Sequence, residues 1–156
     1  MKDLVIRKAK SEDLKAIQKL NHQLFIHDQE FDSFLNMNWP FEEGENYFKD
    51  KISGKGVCFI AEIGGEAVGY LAGGLMRPYS YRTIKKMTEL ENTLVKEEFR
   101  GQRIGEKLFE KFVGWSKQTG AGRIKVSTST SNSRGIKFYE RVGFSPYATE
   151  LEYGIR

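Results

Sequence analysis

The sequence holds one cysteine, three prolines and two histidines in 156 residues. A single thiol, Cys58, excludes an intramolecular disulfide and any zinc or iron–sulfur centre built on several cysteines. His22 and His27 are five apart, off the i, i+4 spacing at which a helix offers two imidazoles to one ion, so no metal site is expected. The longest weakly polar stretch, Val68 to Met76, falls far short of the roughly 20 residues that span a bilayer, and no membrane partner is expected. Polar low-complexity tracts are absent and aromatics reach 13%, which argues against disorder. Neither G-x-x-x-x-G-K-[ST] nor G-x-G-x-x-G occurs, so the two commonest nucleotide loops are missing. Ser127-Thr-Ser-Thr-Ser131 lacks a G-x-S-x-G elbow and reads as a polar strand end rather than a nucleophile. The opening Met-Lys-Asp with no apolar leader, beside the lone cysteine, leads to the expectation of a cytoplasmic protein with a single domain over residues 1–156.

Charge is present but segregated. Between His27 and Asp50 there are seven acids and one base, a net −6, which leaves +10 on the remainder of a chain that totals +4. The same segment carries Phe31, Phe34, Trp39, Phe41, Tyr47 and Phe48. An acidic, aromatic lobe beside a basic body suits a cationic and an anionic ligand held side by side; it equally suits two surface helices with a solvated acidic face. Along residues 103–118 Arg103, Glu106, Lys107, Glu110 and Lys111 alternate in sign instead of forming a basic stripe, so no nucleic-acid partner is expected.

Periodicity supplies the elements. Leu4–Arg7 reads as a strand, and Ser11 is placed to cap a helix that presents Leu14, Ile17, Leu20 and Leu24 on one face. A second helix is expected over about Phe41–Ser53, after Pro40. Val57–Ile63 is a nearly continuous apolar run, Gly64-Gly65 a two-residue turn, and Ala67–Leu75 the antiparallel return. From Thr88 to Val95 the residues alternate, with Leu90, Asn92 and Leu94 on one face and Glu89, Glu91, Thr93 and Val95 on the other. Ile104, Leu108, Phe112 and Trp115 form the stripe of a strong helix that Gly120 stops. Arg123–Thr130 is the next strand, Asn132 and Ser133 cap a short helix, and Glu150–Ile155 alternates as a last strand. The fold class is therefore mixed α/β, with a central mixed sheet of six or seven strands flanked by about four helices.

Arg100-Gly-Gln-Arg-Ile-Gly105 lies between a strand and the first turn of a helix, where unpaired N–H groups meet the positive end of the helix dipole. Gly101 and Gly105 let an anion approach the backbone, and Arg100 and Arg103 add charge. Arg103 costs little if it lies in the first helical turn, which is the arrangement expected, and more if the turn needs positive φ there. This run resembles the R/Q-x-x-G-x-G/A acetyl-CoA loop of the GNAT superfamily of N-acetyltransferases. Asn132-Ser-Arg-Gly-Ile-Lys-Phe-Tyr139-Glu-Arg-Val-Gly-Phe144 is similar to that superfamily's second signature, N-x-x-A-x-x-F-Y-x-x-x-G-F. Arg103 stands where the loop often has Gly, and Gly135 where Ala is usual.

The resemblance implies a GNAT-like fold and direct transfer of an acetyl group from acetyl-CoA to an amine, with no covalent intermediate on the enzyme. It assigns Arg100, Gly101, Gln102, Arg103, Ile104 and Gly105 to the diphosphate, a backbone N–H near Leu94–Val95 to the acetyl oxygen, Asn132 to the pantetheine neighbourhood and Tyr139 to protonation of the departing thiolate. Sheet-edge pairing into a homodimer is a further family analogy. An alkyl amine of pKa about 10.4 must lose a proton first, at about 4.6 kcal/mol at pH 7. Glu89 and Glu91, two apart on one strand, are the candidate carboxylates for that step. The acidic lobe favours a cationic acceptor. The competing reading is a non-catalytic acyl-CoA-binding or interaction module on the same fold.

Overall fold

The computed structural model describes residues 3–156. Its strands are β1 (Leu4–Lys8), β2 (Val57–Ile63), β3 (Glu66–Met76), β4 (Met87–Val95) and β5 (Arg123–Val126), in that order across one sheet. The helices are α1 (Leu14–Asp28), α2 (Glu43–Ser53), α3 (Ile104–Gln118) and α4 (Ser133–Arg141). The first four strands pair antiparallel, and β5 joins β4 in parallel because α3 carries the chain back across the sheet.

Most expected elements form for the reasons the sequence offers. The β2–β3 connection is Gly64-Gly65 with φ of 59° and 81°, a turn whose positive φ at both positions matches the twist of the flanking strands. The stripe on α3 buries Ile104, Leu108 and Phe112 against Val57, Phe59, Leu71 and Leu90. On the opposite face α1 and α2 bury Ile17, Leu20 and Phe48 against Cys58, Ile60, Tyr70 and Leu94. Each fully buried large apolar side chain contributes about 1.5–3 kcal/mol. Burial, reinforced by the Asp13 charge and opposed by Lys51, pushes the Cys58 thiol up to about 12, the behaviour of an inert core thiol.

Several expectations are corrected. The sheet has five strands among the described residues, not six or seven, because Glu150–Ile155 pairs with nothing and carries no regular structure. Ser11 caps nothing; the Asp13 carboxylate accepts the Lys10 N–H at 2.7 Å instead, and Arg7 grips the same carboxylate through two hydrogen bonds. A charged acceptor held by a guanidinium outcompetes a serine hydroxyl at that turn. The alternation of β4 is interrupted as well. Leu90 lies opposite Gly73 and Asn92 opposite Ala72, which leaves Glu91 as the extra residue of a β-bulge. Leu90 therefore packs toward α3, whereas Leu94 packs toward α1 and α2 with Tyr70.

Candidate active site

The bulge and the end of β5 fall at the same level. Pairing between β4 and β5 runs from Met87–Arg123 to Leu90–Val126 and stops, so Glu91–Val95 continues beside β3 with no strand on its outer side among the described residues. Lys96 donates to the Val68 carbonyl. By the alternation of an antiparallel ladder, the N–H groups of Thr93 and Val95 then point away from β3 into the gap. Of the expected pair Leu94–Val95, only Val95 offers its N–H there; Leu94 directs its own at β3 and its side chain into the core.

The loop after β4 closes one end of this gap. Gly101 has φ 82° with open space where a Cβ would sit. Arg103, expected in the first helical turn, instead has φ 63° and is the N-cap of α3. The turn needs a left-handed residue before the helix begins, and the other side chains of the chain avoid that region: Arg103 is the one non-glycine with positive φ among the described residues. Left-handed residues at 101 and 103 turn neighbouring N–H groups into a concavity suited to an anion. The first helical bond is Lys107 N–H to the Arg103 carbonyl, so the N–H groups of Ile104, Gly105 and Glu106 have no acceptor within the helix.

The loop side chains do less than expected toward an anion. Arg100 folds back to donate from Nε to the Val95 carbonyl at 3.0 Å, and burial together with nearby Arg134 holds its pKa below the usual arginine value. It fastens the loop to β4. Arg103 donates to Glu106, which also accepts from Arg141 of α4. Gln102 is exposed and Ile104 is buried in the core, so Ile104 can serve a ligand through its backbone alone. Gly105 is corrected too: a Cβ there would lie 3.1 Å from the Phe138 ring, so its smallness admits α4 rather than an anion. Beside the loop a groove of about 470 Å³ runs between α3 and α4, lined by Arg103, Glu106, Phe109 and Arg141 among others.

Tyr139 lies on α4 between Phe138 and Phe144, with ring centroids 5.4 and 5.6 Å away. Burial pushes its phenol up to about 12, and its hydroxyl has no hydrogen-bond partner among the described residues. Asn132 accepts the Gly135 N–H at 3.0 Å and so caps α4. The absent Cβ of Gly135 makes room for that cap, since it would lie 2.7 Å from Asn132 Nδ2.

The two glutamates are brought to one face but into different company. Gly74 pairs with Glu89 across the strands, and the space of its missing Cβ lies 3.1 Å from Glu91 Oε2 and 2.9 Å from Lys51 Nζ. Glu91 accepts from Tyr47 at 2.5 Å and from Lys51 at 3.0 Å. Asn92 Nδ2 donates to the Tyr47 hydroxyl, the Tyr70 hydroxyl donates to Asn92 Oδ1, and Asn21 donates to Tyr70. Burial and the Glu91 charge raise the Tyr47 pKa far above that of a free phenol, so it remains a donor. Glu89 has no such partner among the described residues. Sequence reasoning missed Tyr47, Lys51, Asn92 and Arg134. The i, i+4 spacing of Tyr47 and Lys51 was the available signal for a shared face on α2. Most of the aromatics in the acidic segment turn out to be packing groups: Trp39 stacks on Phe25 and meets Tyr47 and Phe48, while Phe34 is fully in solvent.

A family model described as the acetyltransferase (GNAT) family matches residues 5–144. An uncharacterized N-acetyltransferase of Archaeoglobus fulgidus is 35% identical over 96 residues, 61% of this chain and 65% of that protein. Another from Methanocaldococcus jannaschii is 29% identical over 86 residues, 55% of this chain and 38% of that one. The chain thus spans less than two thirds of the length of these curated relatives. Among solved structures, an aminoglycoside N-acetyltransferase, AAC(6')-Iy, in complex with CoA superposes with a TM-score of 0.78 over 100% of this chain and 97% of that one. At 18% identity that likeness shows a shared fold.

Proposed function

The chain belongs to the acetyltransferase (GNAT) family, and from that premise we propose that it moves the acetyl group of acetyl-CoA directly to a primary amine. The observation that carries this reading is the gap beside Glu91–Val95, closed by a helix N-terminus whose loop is shaped for an anion. The open space at Gly101, the left-handed Arg103 and the free N–H groups of residues 104–106 fit the diphosphate of the coenzyme. When bound there, the cosubstrate supplies an activated thioester.

The rest is done by the chain's own groups. Val95 directs its N–H toward the position of the thioester oxygen and stabilises the charge that develops on it. Tyr139 keeps its proton at neutral pH because burial disfavours the phenolate, and it donates that proton to the departing sulfur. Glu89 accepts the proton of the incoming amine, directly or through water. Glu91 is already held by Lys51 and Tyr47, so it orients the bulge and Glu89 is left as the carboxylate free for proton transfer. The acidic segment between His27 and Asp50, seven acids against one base, favours an acceptor that carries positive charge.

Thiol release measured with a panel of amines, with mass-spectrometric identification of products, tests this reading. Acetylated amine and stoichiometric free CoA are the expected result, and Glu89→Gln lowers kcat at least tenfold. A protein that binds acetyl-CoA but releases no thiol above background with any amine would be the non-catalytic module, and the proposal would be wrong.

A further inference from the structure

Two stretches of the chain hold no acidic residue: 67–88 carries four bases and 111–139 carries six. The fold brings them together at the β5 edge of the sheet. Gly122 donates its N–H to the Lys86 carbonyl at 3.0 Å, the Lys86 ammonium donates to the Thr119 carbonyl at 2.8 Å, and β5 then pairs with the start of β4. Residues directly opposite one another on neighbouring strands share a face of the sheet. Thr88 and Leu90 turn toward α3, where Thr88 meets Ser116, and their partners Ile124 and Val126 do the same. Met87 and Glu89, with Arg123 and Lys125 opposite them, therefore project from the other face, the one that carries Glu91 and Lys51.

On that face Lys125 stands one strand spacing, about 4.8 Å, from Glu89. Arg123 lies beside Met87, and the Arg82 guanidinium reaches the Met87 sulfur at 3.5 Å. Arg123 and Lys125 are exposed, and Glu89 is half-buried. Among the described residues none of these three cations forms an ion pair, and neither does Glu89. Lys51, by contrast, is held by Glu91, and Arg7 by Asp13 and Glu62. A row of unpaired cations beside a free carboxylate is complementary to a molecule that carries both charges. Its ammonium meets the carboxylate, and its anionic group takes charge-assisted hydrogen bonds from the row.

Building on the reading of Glu89 as the carboxylate that meets the amine, we propose that the acceptor is zwitterionic, a primary amine with a carboxylate or phosphate a few bonds away. Lys125 is the residue that selects it. The ammonium lies at Glu89, on the side of the cleft toward α2, and the anionic group lies on the β5 side. Lys125 supplies the nearest charge, and Arg123 and Arg82 extend the row for a larger anion. A second ammonium in place of the anionic group would face three like charges, which disfavours diamines.

Thiol release with acetyl-CoA and two matched pairs of amines tests it: β-alanine against β-alaninamide, and phosphoethanolamine against ethanolamine. The expected result is a kcat/KM about tenfold higher for the anionic member of at least one pair, expressed mainly in KM. The pair that shows it tells a carboxylate from a phosphate. Lys125→Glu abolishes the preference and Lys125→Arg keeps it, both with an unchanged far-ultraviolet spectrum. Titration calorimetry of the same four amines onto the protein with CoA reads the site without turnover, and the same order of affinity is expected. Equal kcat/KM within each pair, or a preference that survives Lys125→Glu, would overturn the proposal. If no amine releases thiol, the acetyl-transfer reading fails; a calorimetric preference lost in Lys125→Glu then upholds the anion site, and its absence overturns that as well.

Discussion

At Arg103 a charged side chain sits on left-handed backbone because the turn into α3 demands it. The sequence offered two readings of that position, and only the direction of the chain out of β4 chose between them. Arg100 makes the same point: its charge suggested an anion, but the Val95 carbonyl lay within its reach. Tyr139 is proposed as the donor from its place in the second signature, and its burial between Phe138 and Phe144 keeps the phenol protonated. The neutral phenol is favoured on the folded side, so the proton is retained as pH rises through the free-tyrosine range and is lost only near 12. We expect Tyr139→Phe to lower kcat about 100-fold. Rate profiles of both proteins should show that ratio holding constant from pH 6 to 9, since the donor stays loaded throughout.

Among the elements, α4 is the most dependent on its ends. It is nine residues long, buries no residue completely, and begins at Asn132, whose side chain holds the Gly135 N–H and reaches Thr128. Short helices of this kind draw their stability from caps and packing rather than propensity. Asn132→Ala should cost about 1 kcal/mol, read as a drop in Tm of roughly 2–4 °C. Because α4 carries Tyr139, the variant should also lose kcat while Asn132→Asp, which keeps an acceptor at the cap, recovers most of the Tm. The strand β4 was legible as a strand but not in its facing. A bulge inserts one extra residue against a partner, and nothing within Glu89–Val95 alone says which of these residues will be left unpaired.

Across the whole molecule the charge segregation seen in the sequence persists: α2 carries acids at its first turn, and the turn into α3 carries bases. A basic body steers a polyanionic cosubstrate at distances that salt screens, with a Debye length of about 10 Å at 0.1 M and about 3 Å at 1 M. Raising NaCl from 50 to 500 mM should increase the KM for acetyl-CoA several-fold while kcat changes little, as steady-state assays at both salts would record. The order of the elements as far as α4, the glycine turn, the place of the loop before α3 and the Asn132 cap of α4 were determined by the sequence alone, because helix and strand periods, turn glycines and caps act over a few neighbouring residues. The bulge that turns Leu94 into the α1–α2 core, the Lys51–Glu91–Tyr47 contact and the missing partner of residues 150–155 were decided by tertiary structure. Register and edge pairing are settled between segments tens of residues apart, where no local pattern reaches.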